Sequence, residues 1–494
     1  MRLPALCAGG AVLTGLLLAS LFPPLGWNVL APVALTPLLF AMAHEPRPLR
    51  RFLFGWLSGA VFWILVCHWI RDVLANYGGL NAALSWLALA LFAAAKGLHT
   101  AVFATLAGPV MRRWWATPAV AALWTGIERM HGPLGFAWLV LGNAGAGMAV
   151  PLRLAPWTGV YGLSFAFALI GAAAAALALR RKRLELAWLL PLLALWLLPA
   201  VERRSAYDRE AVAVQINAAG DAQWNEDVLR SATRRMALRT LEMALDPSRP
   251  RASLLLWPEV PAPFYYYDDP QFRHEATETA RLARAPFLFG TVAWTADRAP
   301  MNSAVLLDSG GRLAGRYDKA RLVPFGEFVP PGFRWIRKIS SEAGDYAAGE
   351  GARVLYADDR AIGAFICYES AFPDYVRQFA ADGAEVLVNL TNDGYFGSSA
   401  ARGQHLLLAR MRAVENRRWL LRPSNDGITA SIDPSGQVWG AFPEHTVHAG
   451  RLPFRFLKEQ TFYTRHGDWF AWLAFAAGLA GFAATQIPVY RPLE

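Results

Sequence analysis

The sequence predicts a two-part fold: a polytopic α-helical membrane domain of about eight helices, and an α/β domain whose strands are largely buried. Three observations predict it. Of 494 residues, 55% are hydrophobic, 20 are Trp and only 17% are charged, more apolar surface than one soluble core uses. The long apolar spans gather at the two ends of the chain. Between about Arg204 and Arg465 the texture changes to short apolar runs with turn punctuation, separated by charged, helix-periodic stretches. The domains so divided are 1–203, 204–465 and 466–494. The middle one, with roughly 260 residues, is long enough to bury a core of its own.

Seven apolar spans precede that middle domain: Pro4 to Phe22, Trp27 to Ala43, Phe52 to Ile70, Ala82 to Leu106, Trp114 to Ile127, Thr158 to Leu179 and Leu186 to Val201. An eighth, Trp469 to Ile487, closes the chain. The fifth and seventh are short for a helix crossing about 30 Å of hydrocarbon, which takes about 20 residues, so each is tilted differently or re-entrant. Arg2 and the first apolar run resemble a signal peptide, but further spans follow at once without a small-residue cleavage site, so an uncleaved first helix is expected.

Loop charge sets the expected orientation. Arg47, Arg50 and Arg51 lie between spans two and three, Arg112 and Arg113 between four and five, and Arg180, Arg181, Lys182 and Arg183 between six and seven. The alternate loops hold only Arg71, Arg129 and Arg153. The positive-inside rule puts both termini in the cytoplasm and, seven spans later, the middle domain on the outer face, the periplasm of a two-membrane bacterium. The expected location is the bacterial inner membrane.

Several function classes drop out. A net charge of +10 comes without a basic, aromatic-interleaved stripe, which argues against nucleic acid. Of three cysteines, Cys7 and Cys67 fall in apolar spans, leaving neither a disulfide framework nor metal-ligand spacing. Lys96, His99, Glu128 and Arg129 are ionisable groups in or beside spans, read as helix-end or inter-helix pairings, since no broken-helix pair marks a transport path.

The middle domain reads as strands Ala211 to Asn217, Ser253 to Pro258, Pro286 to Val292, Asn302 to Asp308, Ala361 to Cys367, Val386 to Thr391 and Thr429 to Asp433. Helical patterns run from Asp227 to Asp246, Glu275 to Arg284 and Gln404 to Arg417. Three segments end on a chemical group: Leu254-Leu255-Leu256-Trp257-Pro258-Glu259, Tyr317-Asp318-Lys319 after a glycine-punctuated hairpin, and Phe365-Ile366-Cys367. Cys367 sits at a strand-to-helix turn, with Phe372-Pro373-Asp374 as the helix entry; there a helix amino terminus favours the thiolate. Carboxylate, ammonium and thiol together make an acyl-transfer site, with Glu259 as base and Lys319 facing thiolate and oxyanion. The structural alternatives are a surface carboxylate at Glu259, a Lys319–Asp318 ion pair and a core thiol at Cys367. The chain has 5 Lys among 48 Lys and Arg. A lysine here therefore departs from the habit of the sequence, and a compact ammonium reaches a small oxyanion as a guanidinium fork does not.

Trp257-Pro258-Glu259, Tyr317-Asp318-Lys319 with Leu322-Val323-Pro324-Phe325-Gly326-Glu327, Cys367-Tyr368-Glu369 and Asn389-Leu390-Thr391-Asn392-Asp393 resemble, in order and spacing, the Glu-Lys-Cys signature of the nitrilase (carbon-nitrogen hydrolase) superfamily. With the flanking spans, the whole chain resembles the apolipoprotein N-acyltransferase family. The resemblance implies an αββα sandwich on the membrane domain and a ping-pong acyltransferase without metal or dissociable cofactor. It implies that Cys367 takes an acyl chain from a phospholipid, typically phosphatidylethanolamine, as a thioester. The α-amino group of a diacylglyceryl-cysteine at the start of an apolipoprotein then accepts it. Glu259 carries over as base, Lys319 as oxyanion stabiliser, Glu327 as an acidic residue assisting the lysine, and Tyr368 and Glu369 as residues needed beside the nucleophile.

Both substrates keep their acyl chains in membrane lipid, so the catalytic domain is expected to work at the interface, as a monomer. Aromatic stretches Phe264-Tyr265-Tyr266-Tyr267 and Phe328 to Trp335 are read either as interfacial loops or as core packing. Three places depart from the family pattern. Gln215-Ile216-Asn217 lacks a following glycine, which touches the substrate-contact role carried to Trp224. Gly394-Tyr395 stands for Ala-Trp or Ser-Trp, and Ser424-Asn425-Asp426-Gly427 for Thr-Asn-Thr-Gly. The alternatives are a membrane-anchored amide or lipid hydrolase, in which water resolves the thioester, and a non-catalytic membrane scaffold.

Overall fold

The computed structural model describes residues 3–201, 206–218, 225–259, 264–330 and 345–487. Trp224 and the later part of the Phe328 to Trp335 stretch lie outside them. The chain divides into two compact units: 1–72, 81–201 and 466–494 form one, and 73–80 with 202–465 the other.

The first unit is helical: α1 (Leu3–Ser20), α2 (Thr36–His44), α3 (Pro48–Val66), the start of α4 (Trp69–Asn76), whose residues from Val73 belong to the second unit, α5 (Ala82–Val110), α6 (Ala116–Arg129), α7 (Ala155–Thr158), α8 (Val160–Ala178) and a C-terminal helix Trp469–Ala484. Among the described residues α1, α3, α5 and α8 are long and apolar enough to cross a membrane. The other apolar stretches take shorter forms. The second splits into a 3-10 turn, Asn28–Val33, and the nine-residue α2, with Pro32 inside the turn and Pro37 opening the helix. The fifth is the 14-residue α6, about 21 Å long at α-helical rise. The seventh, Arg183–Trp196, is a 3-10 run of 14 residues rather than an α-helix, and the larger rise of about 2.0 Å per residue stretches it to about 28 Å.

Small residues let these helices approach. A Cβ at Gly59 of α3 would lie 2.8 Å from Gly97 Cα of α5, so the two backbones meet where neither carries a side chain. Buried charge is pinned locally. Lys96 Nζ donates to Phe136 O at 3.0 Å and lies 4.8 Å from the Trp63 ring centroid; Glu128 accepts from Leu141 N–H at 2.7 Å; Arg129 pairs with Asp468.

Among the described residues the second unit holds twelve strands: β1 (Arg209–Gln215), β2 (Leu254–Leu256), β3 (Phe287–Trp294), β4 (Pro300–Leu307), β5 (Leu313–Asp318), β6 (Leu355–Ala357), β7 (Arg360–Ile366), β8 (Val386–Leu390), β9 (Leu420–Arg422), β10 (Ala430–Ile432), β11 (Val438–Trp439) and β12 (His448–Phe454). They form two six-stranded sheets, ordered β12-β1-β2-β3-β4-β5 and β11-β10-β9-β8-β7-β6. The middle pairings β1–β2–β3 and β7–β8–β9 are parallel. β4 runs against both β3 and β5, so β5 points the same way as β2 and β3.

Period-two burial builds the layers. In β1, Ala211 and Ala213 face the core shared by the two sheets, while Val212 and Val214 pack under α9 (Glu226–Ala244) and α10 (Pro270–Ala283). Leu254 and Leu256 of β2 turn inward, and Leu255 turns outward with Trp257. On the far face of the second sheet, α11 (Pro373–Ala381) lies against β7 so closely that a Cβ on Gly363 would sit 2.8 Å from Phe379 Cβ. With α12 (Ala401–Asn416) beside it, the order is helices, sheet, sheet, helices, the expected αββα sandwich. Phe264 and Tyr266 belong to its core, at 1% and 5% exposure, so of the two readings of that aromatic stretch packing applies to both.

Candidate active site

The three chemical groups stand one to three residues beyond strand ends. Glu259 follows β2, Lys319 follows β5 and Cys367 follows β7. β2 and β7 are buried apolar strands and β5 is a partly exposed one; each delivers a polar residue past its carboxyl end, where open α/β sheets place ligands.

Lys319 is 1% exposed, and its ammonium donates to Glu327 Oε1 at 2.8 Å and Glu259 Oε1 at 3.3 Å. Burial alone lowers an ammonium, yet Glu259, then Glu327, then Cys367 together hold Lys319 well above its ordinary range. It therefore stays a cation. Asp318, its sequence neighbour, pairs instead with Arg316 at 2.9 Å, and Glu259 is 8% exposed, so neither of the bland alternatives for these two residues holds. Asn302, in the middle of β4, completes the cluster. Its Nδ2 donates to Glu259 Oε1 at 2.8 Å and Glu327 Oε1 at 2.9 Å, and its carbonyl accepts the Lys319 N–H at 2.9 Å. Sequence reading missed Asn302, because a polar residue inside an apolar strand carries no local mark of its partners.

Cys367 adopts φ +50, in the left-handed region that non-glycine residues visit at a cost of about 1–3 kcal/mol. A five-residue 3-10 turn, Cys367–Ala371, separates it from α11, whose first residue is Pro373. The thiol does not rest as the favoured thiolate that its place before a helix suggests. Burial pushes the Cys367 thiol up, Glu259 adds to the rise, and Lys319 offsets only part of it. The helix proper starts six residues later, too far for its terminus to act.

Glu369 ties the two chemical turns together. Wholly buried, it accepts the N–H groups of Ala320 and Arg321 at 2.8 and 3.0 Å through Oε1 and that of Ile366 at 2.7 Å through Oε2. Tyr317 Oη donates to the same carboxylate at 2.6 Å and sits 2.8 Å from Tyr375 Oη. One carboxylate thus fixes the residue before Cys367 and the two residues after Lys319. Burial raises its carboxyl, with Tyr317 and the backbone N–H groups opposing. Tyr368 is 4% exposed with its ring edge-on to Phe372 at 5.1 Å. In the same unit Tyr77 donates to Gly394 O at 3.4 Å and meets Tyr395 at 5.2 Å between centroids.

Glu259 and Glu327 both meet the Lys319 ammonium, and the charges of Glu259 and Lys319 both reach the Cys367 thiol, so cation, acidic side chains and thiol act on one another in a single cluster.

Two family descriptions match the chain: Apolipoprotein N-acyltransferase N-terminal domain over residues 14–173, and Carbon-nitrogen hydrolase over 213–448. The chain is 33% identical to the apolipoprotein N-acyltransferase of Geobacter metallireducens, over 96% of this chain and 94% of that relative. It is 30% identical to the one of Gloeobacter violaceus, over 95% and 92%. Among solved structures, an amidase of Nesterenkonia AN1 from the nitrilase superfamily is similar at 18% identity and TM-score 0.40, over 51% of this chain and 92% of that one. On the strength of the full-length relatives, the chain belongs to the apolipoprotein N-acyltransferase family.

Proposed function

We propose that this protein moves an acyl chain from a phospholipid to the N-terminal diacylglyceryl-cysteine of apolipoproteins through a thioester on Cys367. The observation that carries the reading is the buried Lys319 ammonium held by Glu259 and Glu327, with Cys367 in its field, in a chain built like the family throughout.

In the first half-reaction Cys367 Sγ bonds to the ester carbonyl carbon as Glu259 takes the thiol proton. Because the thiol is held in its protonated form, this proton leaves as the carbon–sulfur bond forms. The oxyanion faces Lys319. Its collapse breaks the carbon–oxygen bond, and the departing alkoxide takes the proton from Glu259 and leaves as lysophospholipid. In the second half, the acceptor's neutral α-amine attacks the thioester and Glu259 accepts its proton. The carbon–sulfur bond breaks, the amide forms, and the proton returns to Cys367. Glu327 and Asn302 hold Lys319 and Glu259 in place, Glu369 and Tyr368 shape the turn around the nucleophile, and Trp224 is assigned a substrate contact by resemblance. Phosphatidylethanolamine is the proposed donor. The proposed topology has both termini in the cytoplasm and the catalytic domain in the periplasm, in a monomeric enzyme of the inner membrane.

Intact mass spectrometry tests this. Wild type incubated with phosphatidylethanolamine should gain a hydroxylamine-labile acyl adduct that Cys367→Ala lacks, and a diacylated lipopeptide with a free amino terminus should discharge it. Discharge only to water would favour a lipid hydrolase. Full turnover by Cys367→Ala would overturn the assignment of the nucleophile.

A further inference from the structure

A second buried charge cluster meets the backbone of Cys367. His405, in α12, is fully buried. Its Nε2 is 3.0 Å from the carbonyl oxygen of Cys367, and its Nδ1 is 2.8 Å from Asp393 Oδ1 and 3.0 Å from Arg422 Nη2. Arg422, at the end of β9, donates to Asp393 Oδ2 at 2.7 Å and to Ile428 O at 2.8 Å. Thr391 donates to Asp393 Oδ1 at 3.3 Å. Burial would raise the Asp393 carboxyl, but Arg422 and His405 hold it well below the usual carboxylate range, so the anchor is ionised.

The ring's proton can be placed from geometry. Nε2 faces a carbonyl oxygen, which only accepts, so Nε2 carries a proton whether the ring is neutral or charged. Nδ1 then either accepts from Arg422 or donates to Asp393, and both partners are in place. Asn389 Nδ2 also reaches the Cys367 carbonyl, at the longer distance of 3.4 Å.

That carbonyl belongs to the peptide joining Cys367 to Tyr368. A trans peptide is planar, with its C=O and N–H pointing opposite ways. Fixing the carbonyl toward His405 therefore fixes two things: the left-handed turn at Cys367, which is strained and needs holding, and the direction of the Tyr368 N–H on the opposite side. We propose that His405, oriented by Asp393 and Arg422, is a positioning residue that sets the Cys367–Tyr368 peptide plane for attack. The role rests on Cys367 being the nucleophile and concerns the same reaction.

The test is the rate of acyl-enzyme formation on detergent-solubilised full-length enzyme with phosphatidylethanolamine, followed by intact mass and normalised to folded protein. His405→Ala should lower the saturating rate by about 100-fold, the scale of an ångström-sized misplacement, while half-saturation by lipid moves less than about twofold. His405→Gln loses the imidazole's contact with Asp393, yet its side-chain amide can donate to the same carbonyl, so it should recover about tenfold or more of the lost rate. A merely structural histidine would show neither split nor rescue. A wild-type rate in folded His405→Ala would overturn the proposal. So would a folded His405→Gln about 100-fold slow, which decides the matter even where the alanine variant does not fold. The wild-type and Cys367→Ala controls separate the two levels: an adduct on Cys367 with unchanged rates in the His405 variants sinks only the positioning role, whereas no adduct on Cys367 at all sinks the nucleophile and this role with it.

Discussion

Lys96 and Lys319 are both buried lysines, one in each unit, and their surroundings are opposite. Lys96, on α5, donates to a backbone carbonyl and lies over a Trp ring. Lys319 donates to two carboxylates that a shared asparagine holds in place. A carbonyl and a ring quadrupole hold an ammonium in place without a carboxylate counter-charge. At Lys319 two carboxylates supply that counter-charge, with Cys367 in the same field. The same residue type therefore ties α5 to the Phe136 segment in one unit and joins two carboxylates at strand ends in the other, where the proposed chemistry would use it. The difference lies in what the partner can do when charge develops.

Four experiments would break or sharpen that contrast. The largest effect is expected from Glu259→Gln, which keeps shape and removes the base: acyl-enzyme formation should fall by about 10²–10⁴-fold. The same variant should alkylate faster with iodoacetamide at pH 8, because the negative charge that helps raise the Cys367 thiol is gone. Loss of both reactivities together would mean that Glu259 acts by holding the site's shape rather than by its charge. Lys319→Arg keeps the positive charge but replaces a compact ammonium by a fork; about 10²–10³-fold loss of acyl-enzyme formation is expected, the scale of one oxyanion donor. Near-normal turnover would reduce the lysine's role to field strength.

A smaller effect concerns pH. With its thiol held above the ordinary value of about 8.5, wild-type Cys367 should react with iodoacetamide at a rate that is still climbing above pH 9, since the thiolate fraction grows until pH passes the raised value. A plateau near pH 7 would instead mean a resident thiolate. The smallest effect should come from Lys96→Met. Acyl transfer per folded molecule should stay within about threefold of wild type, while the lost hydrogen bond to Phe136 O lowers thermal stability by about 1 kcal/mol. A large catalytic loss there, with stability intact, would erase the distinction between the two lysines.

How much of this was legible before folding depended on where each residue sits in its element. Glu259 and Cys367 each end an apolar run, so hydropathy marks the position and the side chain names the chemistry; Lys319 follows a glycine-punctuated hairpin and stands out as a lysine in an arginine-rich chain. Asn302 and His405 lie inside elements, where neighbours in sequence are not neighbours in space. The α12 segment is the sharpest case. Its charged, helix-periodic pattern marks a helix but not the fate of its charges: Arg402, His405, Arg412 and Glu415 are all buried, paired with Asp426, Asp393 or one another. The strands β6, β9, β11 and β12 were not read at all, being short or weakly apolar; β12 exists because β1 offers it a full antiparallel register from Arg209↔Phe454 to Gln215↔His448. In the membrane unit, composition marked the apolar stretches but not their backbone: the Arg183–Trp196 run is as apolar as its neighbours and folds as a 3-10 helix.

By itself, then, the sequence determined which stretches are apolar, where strands end and which chemical groups stand at those ends, because hydropathy and side-chain identity are local properties. Only the tertiary structure decided which polar groups become internal and whom they meet. Glu369 binds backbone N–H groups 48 and 49 residues before it as well as one three residues before it, and the thiol of Cys367 rises because burial and Glu259 outweigh Lys319. Desolvation and Coulomb energy depend on distances through space, and those exist only once both sheets have packed.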